Sequence, residues 1–368
     1  MLVSRTPYRI SFFGGGTDYP GWYREHGGTV LASSIDKYCY LTCRTLPPFF
    51  EHKYRVVWSK IESCKTIAEI EHPAVREALK HLNFTQGLEL HHIGDLPARS
   101  GMGSSSSFTV GLLNALYAHQ GRMPTKHQLA LDSIHLEQEI IKENVGSQDQ
   151  VSAAHGGLNQ IIFSPSGEIS VRPITISGER KAHLQNHLML FYTGIKRTAA
   201  HIADSYTQNF SDQRRQLRIL KDLTEESVSF LGSNESIEKF GSLLHEAWQI
   251  KRSLSPLISN TEIANLYETA LSNGASGGKL LGAGGGGFFL VFAKPEAQPK
   301  VKQALRKLIH VPFNFESTGS QITFYSEDAD YAEAVASRKG QTINAFKELH
   351  EMDSCRKSNL NKELITAA

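Results

Sequence analysis

The chain has 368 residues, 40% of them hydrophobic and 21% charged, with 39 basic against 37 acidic side chains for a formal net charge of +2. The length exceeds the roughly 250–300 residues at which single cores stop growing, so two lobes are expected, and the composition excludes disorder of the whole chain. The balance of charge leaves no electrostatic footprint for nucleic acid, and no stretch approaches the roughly 20 apolar residues of a membrane span.

Residues 1–13 carry Arg5 and Arg9 but no apolar core of signal length, which makes the cytoplasm the expected location. Strands are expected at 8–13 and 29–44, the second rich in Val, Ile, Tyr and Thr, separated by the glycine turn Gly14-Gly15-Gly16 and a connector through Pro20. Cys39, Cys43, Cys64 and Cys355 follow no zinc-ligand spacing and read as reduced structural thiols. Strands at 54–59 and 88–93 flank a helix near 72–82. The Gly/Ser loop from Ser100 to Ser107 then opens a helix with Phe108, Leu112, Leu113, Leu116 and Tyr117 on one face. A further helix runs from about Lys126 to Glu143, followed by a loop at 145–150. Strands at 158–163 and 169–174, joined by the hairpin turn Ser164-Pro165-Ser166-Gly167, close a first lobe near residue 180.

The second lobe, 181–350, opens with a strand at 187–192 and continues through helices near 197–209, 211–231, 234–250 and 260–273. The glycine cluster Gly282–Gly287 runs into a strand at 288–293, and a helix at 295–308, a strand at 322–326 and a helix at 328–350 complete it. The tail, 351–368, is polar. Helices and strands mix without strict βαβ alternation, so the fold class is α+β.

The run Leu96-Pro97-Ala98-Arg99-Ser100-Gly101-Met102-Gly103-Ser104-Ser105-Ser106-Ser107 is the most informative stretch. Glycines let the backbone approach a ligand, the first amides of the following helix lack intrahelical partners, and the helix dipole favours an anion there. The alternative is a serine-rich linker or a simple N-cap, but linkers rarely join a strand to a strongly apolar helix. No Gly-Lys-Ser/Thr follows, so this is not a Walker A loop.

Pro97 to Ser107 resembles the P-x3-G-[LM]-G-S-S loop of the GHMP kinases, the superfamily of galactokinases, homoserine kinases, mevalonate kinases and phosphomevalonate kinases. The run from Thr6 to Tyr19 resembles the first motif of that superfamily, and Lys279 to Gly287 resembles its third. The three occur in order and span nearly the whole chain. Within the superfamily, Phe13 to Pro20 and Val145 to Gln150 resemble the D-glycero-D-manno-heptose 7-phosphate kinases. These act on the anomeric hydroxyl of a seven-carbon sugar phosphate, on the way to bacterial surface polysaccharide.

The resemblance implies a two-lobed α+β kinase, with an N-terminal lobe like domain 2 of ribosomal protein S5 and a ferredoxin-like C-terminal lobe. It implies ATP and Mg²⁺ as cofactors, a sugar phosphate as partner, and neither nucleic acid nor membrane; a homodimer is left open. Nucleotide binding falls to Pro97, Ser100, Gly101, Met102, Gly103, Ser104, Ser105 and Ser106. Ser105 matches the serine that ligates Mg²⁺ in relatives. Glu137, twelve residues before Asp149, is the second expected metal ligand. Its competitor Glu139 sits about 200° further round the helix, so only one of them faces the loop.

Asp149 matches the catalytic aspartate, a general base for the sugar hydroxyl, against the alternative of a loop-capping Asp. Arg9 matches the cation beside it; a fixed cation favours the carboxylate form and stabilises charge on the attacking oxygen. Asp18, with Thr17, is expected at sugar hydroxyls. Gly15 and Gly16 stand where galactokinases carry Glu and His, which favours a larger sugar bearing its own phosphate. Lys196 and Arg197 are candidates for that phosphate, and Gly284 and Gly285 for close backbone approach to the substrate. The competing readings are another sugar 1-kinase for galactose, fucose or an N-acetylhexosamine, a silent sugar- and ATP-binding regulator, and a decarboxylase of the mevalonate branch.

Overall fold

The computed structural model describes residues 1–195, 199–207, 210–327, 331 and 333. Lys196, Arg197, Cys355, most of the helix expected at 328–350 and the tail lie outside the described residues. The chain runs through β1 (Leu2–Phe13), α1 (Pro20–His26), β2 (Gly28–Thr45), β3 (Tyr54–Val57), β4 (Ile61–Cys64), α2 (Pro73–His81) and β5 (Leu88–Gly94) before the Gly/Ser loop. Next come α3 (Ser104–His119), α4 (Lys126–His135), α5 (Gln148–His155), β6 (Leu158–Phe163), β7 (Ile169–Pro173) and α6 (Gly178–Asn186). The remainder is β8 (Leu188–Tyr192), α7 (Ala199–Thr207), α8 (Arg214–Leu231), α9 (Glu238–Ser253), α10 (Thr261–Ser272), β9 (Ala275–Leu280), β10 (Phe288–Ala293), α11 (Gln298–Ala304), β11 (Ile309–His310) and β12 (Gln321–Tyr325).

The β-branched run of β2 is long enough to serve two partners on one side. Its Cys39–Thr45 half pairs with β5 and its Gly28–Ser33 half with β6, while β1 lies antiparallel along the other side. The first sheet is thus ordered β12-β1-β2-β5-β3-β4, with β6 and β7 branching from β2. Helix α3 packs on β1 and β2 and is covered in turn by α4 and α5. That double cover explains why almost every residue from Ser106 to Tyr117 is buried, without a clean polar face. Cys39, Cys43 and Cys64 are buried in this sheet.

The second sheet is antiparallel, ordered β11-β8-β10-β9. All six residues of β10 are buried. Strand β9 was not expected, because Ser276-Gly277-Gly278 reads as a turn. Here the absent side chain is required: a Cβ at Gly277 would lie 2.0 Å from the carbonyl oxygen of Gly241, where α9 rests on the strand.

One expectation is corrected. The strand at 322–326 does not complete the second lobe; β12 pairs with β1, Leu2 opposite Tyr325, at the edge of the first sheet. The two sheets meet at an aromatic junction. Phe12 and Phe13 at the end of β1 stand edge-on to Phe240 of α9, with centroids 5.5 Å and 5.2 Å away, and Phe240 packs on Phe292 of β10 at 5.9 Å. Such pairs contribute about 0.5–1.5 kcal/mol each beyond area burial. Among the described residues no helix is long and apolar enough to cross a membrane.

Candidate active site

The Gly/Ser loop is strongly bent. Arg99, Gly101 and Gly103 have φ of 60°, 84° and 72°. Left-handed residues at alternate positions turn successive amides into one concavity, a shape that binds anions. Gly103 is the N-cap of α3, so the amides of Ser104, Ser105 and Ser106 open into the same space. The loop is held from behind. Met102 O accepts from Arg9 N at 3.1 Å, Gly101 O from Arg9 Nη1 at 2.8 Å, and Ser107 Oγ donates to Pro7 O at 2.9 Å. Ser104 Oγ accepts from Arg99 N at 3.2 Å. Ser100 and Met102 are buried and support the loop from beneath, whereas Pro97 is exposed at its entrance.

The third glycine cluster packs against this loop through Gly287. A Cβ there would lie 2.1 Å from Ser100 O, and Phe288 N donates to that same oxygen at 3.1 Å. The side-chain faces of Gly284 and Gly285 are filled by protein, Gly284 by Ile258 and Gly285 by Ile202, and Gly285 N donates to Ile258 O at 2.8 Å. They shape the second lobe's own turn.

Asp149 was expected in a loop and sits instead in the first turn of α5, where the helix dipole favours an acidic residue. Arg9 grips it with two parallel bonds, Nε to Oδ1 at 2.7 Å and Nη2 to Oδ2 at 2.8 Å. Arg9 is 3% exposed, buried under the Gly/Ser loop. Asp149 Oδ2 lies 3.3 Å from the position of a Cβ at Gly103, so the carboxylate stands directly beside the mouth of the loop.

The helix before this loop does not run unbroken to 143. It passes from α4 into a π-helical turn at Leu136–Ile140, a local widening common at functional sites. That turn settles the choice between the two glutamates: Glu137 is 1% exposed and faces the loop, and Glu139 is exposed. Glu137 Oε2 accepts from Ser106 Oγ at 2.9 Å and from Gln150 Nε2, while its Oε1 has no hydrogen-bond partner among the described residues. Burial pushes the Glu137 carboxyl up to about 7, and the charge of Glu143 adds to the shift. A buried carboxylate with an orphaned oxygen and no fixed cation suits a hard divalent cation such as Mg²⁺. Of the two serines, Ser106 is the one bonded to Glu137 and Ser105 is exposed, because consecutive residues lie about 100° apart on a helix.

In the substrate corner, Asp18 is 1% exposed. It accepts from Gly16 N at 2.9 Å, Gln148 N at 3.3 Å and Gln148 Nε2 at 3.0 Å. Its carboxylate therefore fastens the first glycine turn to α5. Thr17 is fully buried, and its hydroxyl donates to Gly14 O at 2.8 Å and accepts from Thr29 N at 3.2 Å. Gly16, at φ 110°, faces Leu217. Gly15 faces a polar space. A Cβ there would lie 3.5 Å from Gln148 Nε2, 3.6 Å from Ser11 Oγ and 3.7 Å from Lys251 Nζ.

Lys251 and Lys279 were not singled out in the sequence. Lys251 is 7% exposed, with Nζ donating to Gly282 O at 2.6 Å; Lys279 is 3% exposed, with Nζ donating to Phe12 O at 2.8 Å. Burial, with Lys251 and Arg9 nearby, holds the Lys279 ammonium well below its usual range. A signal for Lys251 existed: it falls three, four and seven residues after Trp248, Ala247 and Leu244, on the apolar face of α9.

The family model for the GHMP kinases N terminal domain matches residues 66–157, and that for the GHMP kinases C terminal domain matches residues 223–310. The chain belongs to the GHMP kinases. The D-glycero-alpha-D-manno-heptose 7-phosphate kinase of Campylobacter jejuni is 27% identical over 325 residues, 83% of this chain and 93% of that protein. The galactokinase of Pyrococcus furiosus is 23% identical over 359 residues, covering 86% of this chain and 96% of that one. A solved structure of a D-glycero-D-manno-heptose 1-phosphate kinase from Bacteriodes thetaiotaomicron aligns with a TM-score of 0.66 at 21% identity, over 89% of this chain and 100% of that one. The two-lobed α+β architecture is thus the GHMP kinase fold. In this GHMP kinase the three motifs converge: Arg9 from the first and Gly287 from the third both bear on the loop of the second.

Proposed function

We propose that this GHMP kinase transfers the γ-phosphoryl group of ATP to the anomeric hydroxyl of D-glycero-D-manno-heptose 7-phosphate, giving the 1,7-bisphosphate. The observation that carries the chemistry is the Arg9–Asp149 pair at the mouth of the Gly/Ser loop. Phosphoryl transfer is mostly positioning and charge neutralisation, and the two halves of that task stand side by side here. The amides of the loop and of the first turn of α3 receive the nucleotide phosphates. Asp149 accepts the hydroxyl proton, an undemanding task because an anomeric hydroxyl is more acidic than an ordinary alcohol. Arg9 fixes the carboxylate and stabilises charge on the attacking oxygen. Glu137, with Ser105 or Ser106 beside it, would hold Mg²⁺, which when bound neutralises charge on the β- and γ-phosphate oxygens.

The substrate rests on the Campylobacter jejuni relative and on the space left at Gly15. A free-sugar 1-kinase is the second reading, favoured by the galactokinase match. ADP release from Mg-ATP should be measured against the heptose 7-phosphate, sedoheptulose 7-phosphate, mannose, galactose and fucose. Turnover confined to the heptose phosphate, with a new acid-labile anomeric phosphate, supports the proposal. Turnover on a free hexose moves the substrate, and ATP binding without turnover on any sugar points to a regulator.

A further inference from the structure

The space at Gly15 is lined by polar atoms from three separate elements. Ser11 comes from β1, Gln148 from α5 and Lys251 from α9, all within 3.7 Å of where a Cβ at Gly15 would be. One of these atoms is anomalous: Ser11, 4% exposed, is buried, yet its Oγ has no hydrogen-bond partner among the described residues. Gln148, 8% exposed, spends its Nε2 on Asp18, and the Oε1 of the same amide has no partner among the described residues either. Buried polar atoms are normally satisfied, so a ligand offering both an acceptor and a donor would complete them. The surroundings are rich in cations. Lys251 is itself buried, and Arg9 and Lys279 are close enough to it or to one another to depress the proton affinity of Lys279. Of the nearby acids, Asp149 is engaged by Arg9. Asp18 is buried and bonded to Gln148, and burial, with the charge of Asp149 adding to it, raises its pKa.

We infer that the opening at Gly15 is the subsite for the acceptor's own phosphate group, with Lys251 as its cation. The Ser11 hydroxyl donates to a phosphate oxygen, and Gln148 Oε1 accepts from a neighbouring hydroxyl of the sugar. A phosphorylated polyol is the ligand class that supplies both. The inference deepens the proposed function and rests on its reading of the acceptor as a sugar phosphate. It assigns to Lys251 the task that the sequence offered to Lys196 and Arg197.

The test is the ratio of kcat/KM for the heptose 7-phosphate to kcat/KM for the same heptose without phosphate, at saturating Mg-ATP. It is read in the wild type, Lys251→Gln, Lys251→Arg and Gly15→Glu. Lys251→Gln should lower the ratio by about 10- to 150-fold, as for the loss of one charge-assisted hydrogen bond, chiefly through KM, and Lys251→Arg should restore much of it. Gly15→Glu places a carboxylate in the same space at a position free of backbone strain. It should also lower the ratio, which keeps the test open if Lys251→Gln does not fold. If both acceptors lose kcat equally in the Lys251 variants, that residue serves the transferred phosphoryl group or the fold, and the inference is overturned. An unchanged ratio in Gly15→Glu overturns it as well. A wild type that shows no preference for the phosphorylated acceptor defeats the proposed substrate itself, whatever the variants do.

Discussion

Two carboxylates flank the Gly/Ser loop, and the fold treats them oppositely. Asp149 stands in the first turn of α5, a quarter exposed and clasped by Arg9. Glu137 hangs from a π-helical turn, almost fully buried, with a serine and a glutamine as neutral partners and one oxygen unpartnered. The difference teaches how one loop can hold two acids with different tasks. The acid with a built-in cation is held in one orientation and suits proton transfer to or from a neighbour, while the acid without one suits a cation that binds from solution.

The most severe way to break this contrast is to remove the clasped acid. Asp149→Asn should lower kcat by roughly 10²–10⁴ while ATP still binds, as followed by turnover and nucleotide titration. Near-normal turnover would take Asp149 out of the catalytic role. Arg9→Ala strips the cation, leaves Asp149 uncompensated and releases a bond to Gly101 O; kcat should fall by about 10²–10³. A loss confined to the KM for ATP would mean that Arg9 only props up the loop.

Glu137→Gln sharpens the other side. The Mg²⁺ concentration for half-maximal activity should rise about 10- to 100-fold. The same variant tests the buried charge by pH. The Glu137 carboxyl rises from an ordinary 4.5 to about 7, so the folded state binds a proton that the unfolded chain has released. Stability of the metal-free wild type should therefore fall as pH rises through that window, by up to about 3 kcal/mol from this group, and level off above it. Denaturant melts at both ends of the window should show a steeper slope in the wild type than in Glu137→Gln, where Asp18 and Glu143, also raised by burial, still contribute; equal slopes would mean that Glu137 is not a titrating group. The smallest effect expected is from Ser106→Ala, which removes one donor to Glu137 and should cost about 1 kcal/mol and a few-fold in Mg²⁺ affinity. If Ser105→Ala does the greater harm to Mg²⁺ affinity, the metal recruits the exposed serine after all.

What the sequence revealed follows from how local each signal is. The loop, its helix and the spacing of Glu137 to Asp149 were legible because glycine, serine and apolar periodicity act within a few residues. The engagement of Arg9 with Asp149 was legible only through resemblance, since the two are separated by 140 positions. Partners that come from distant segments were not legible: nothing near Asp18 or Thr17 in the sequence shows that Gln148 and Thr29 bond to their oxygens. Ser105 and Ser106 differ only in the rotation of one helix. Lys251 carried a readable signal in its place on the apolar face of α9, whereas Lys279 lies in a strand buried on both sides, where period-2 alternation is lost.

The bond from Phe288 N to Ser100 O has a further consequence. The bend of the nucleotide loop is braced by a strand that the ribosome makes almost two hundred residues later, so a chain halted before β10 would carry every residue of the loop without its brace. Nucleotide binding and the docking of the second sheet onto the first are therefore thermodynamically linked: each should tighten the other, and two fragments divided between α6 and β8 should associate more strongly when ATP is present.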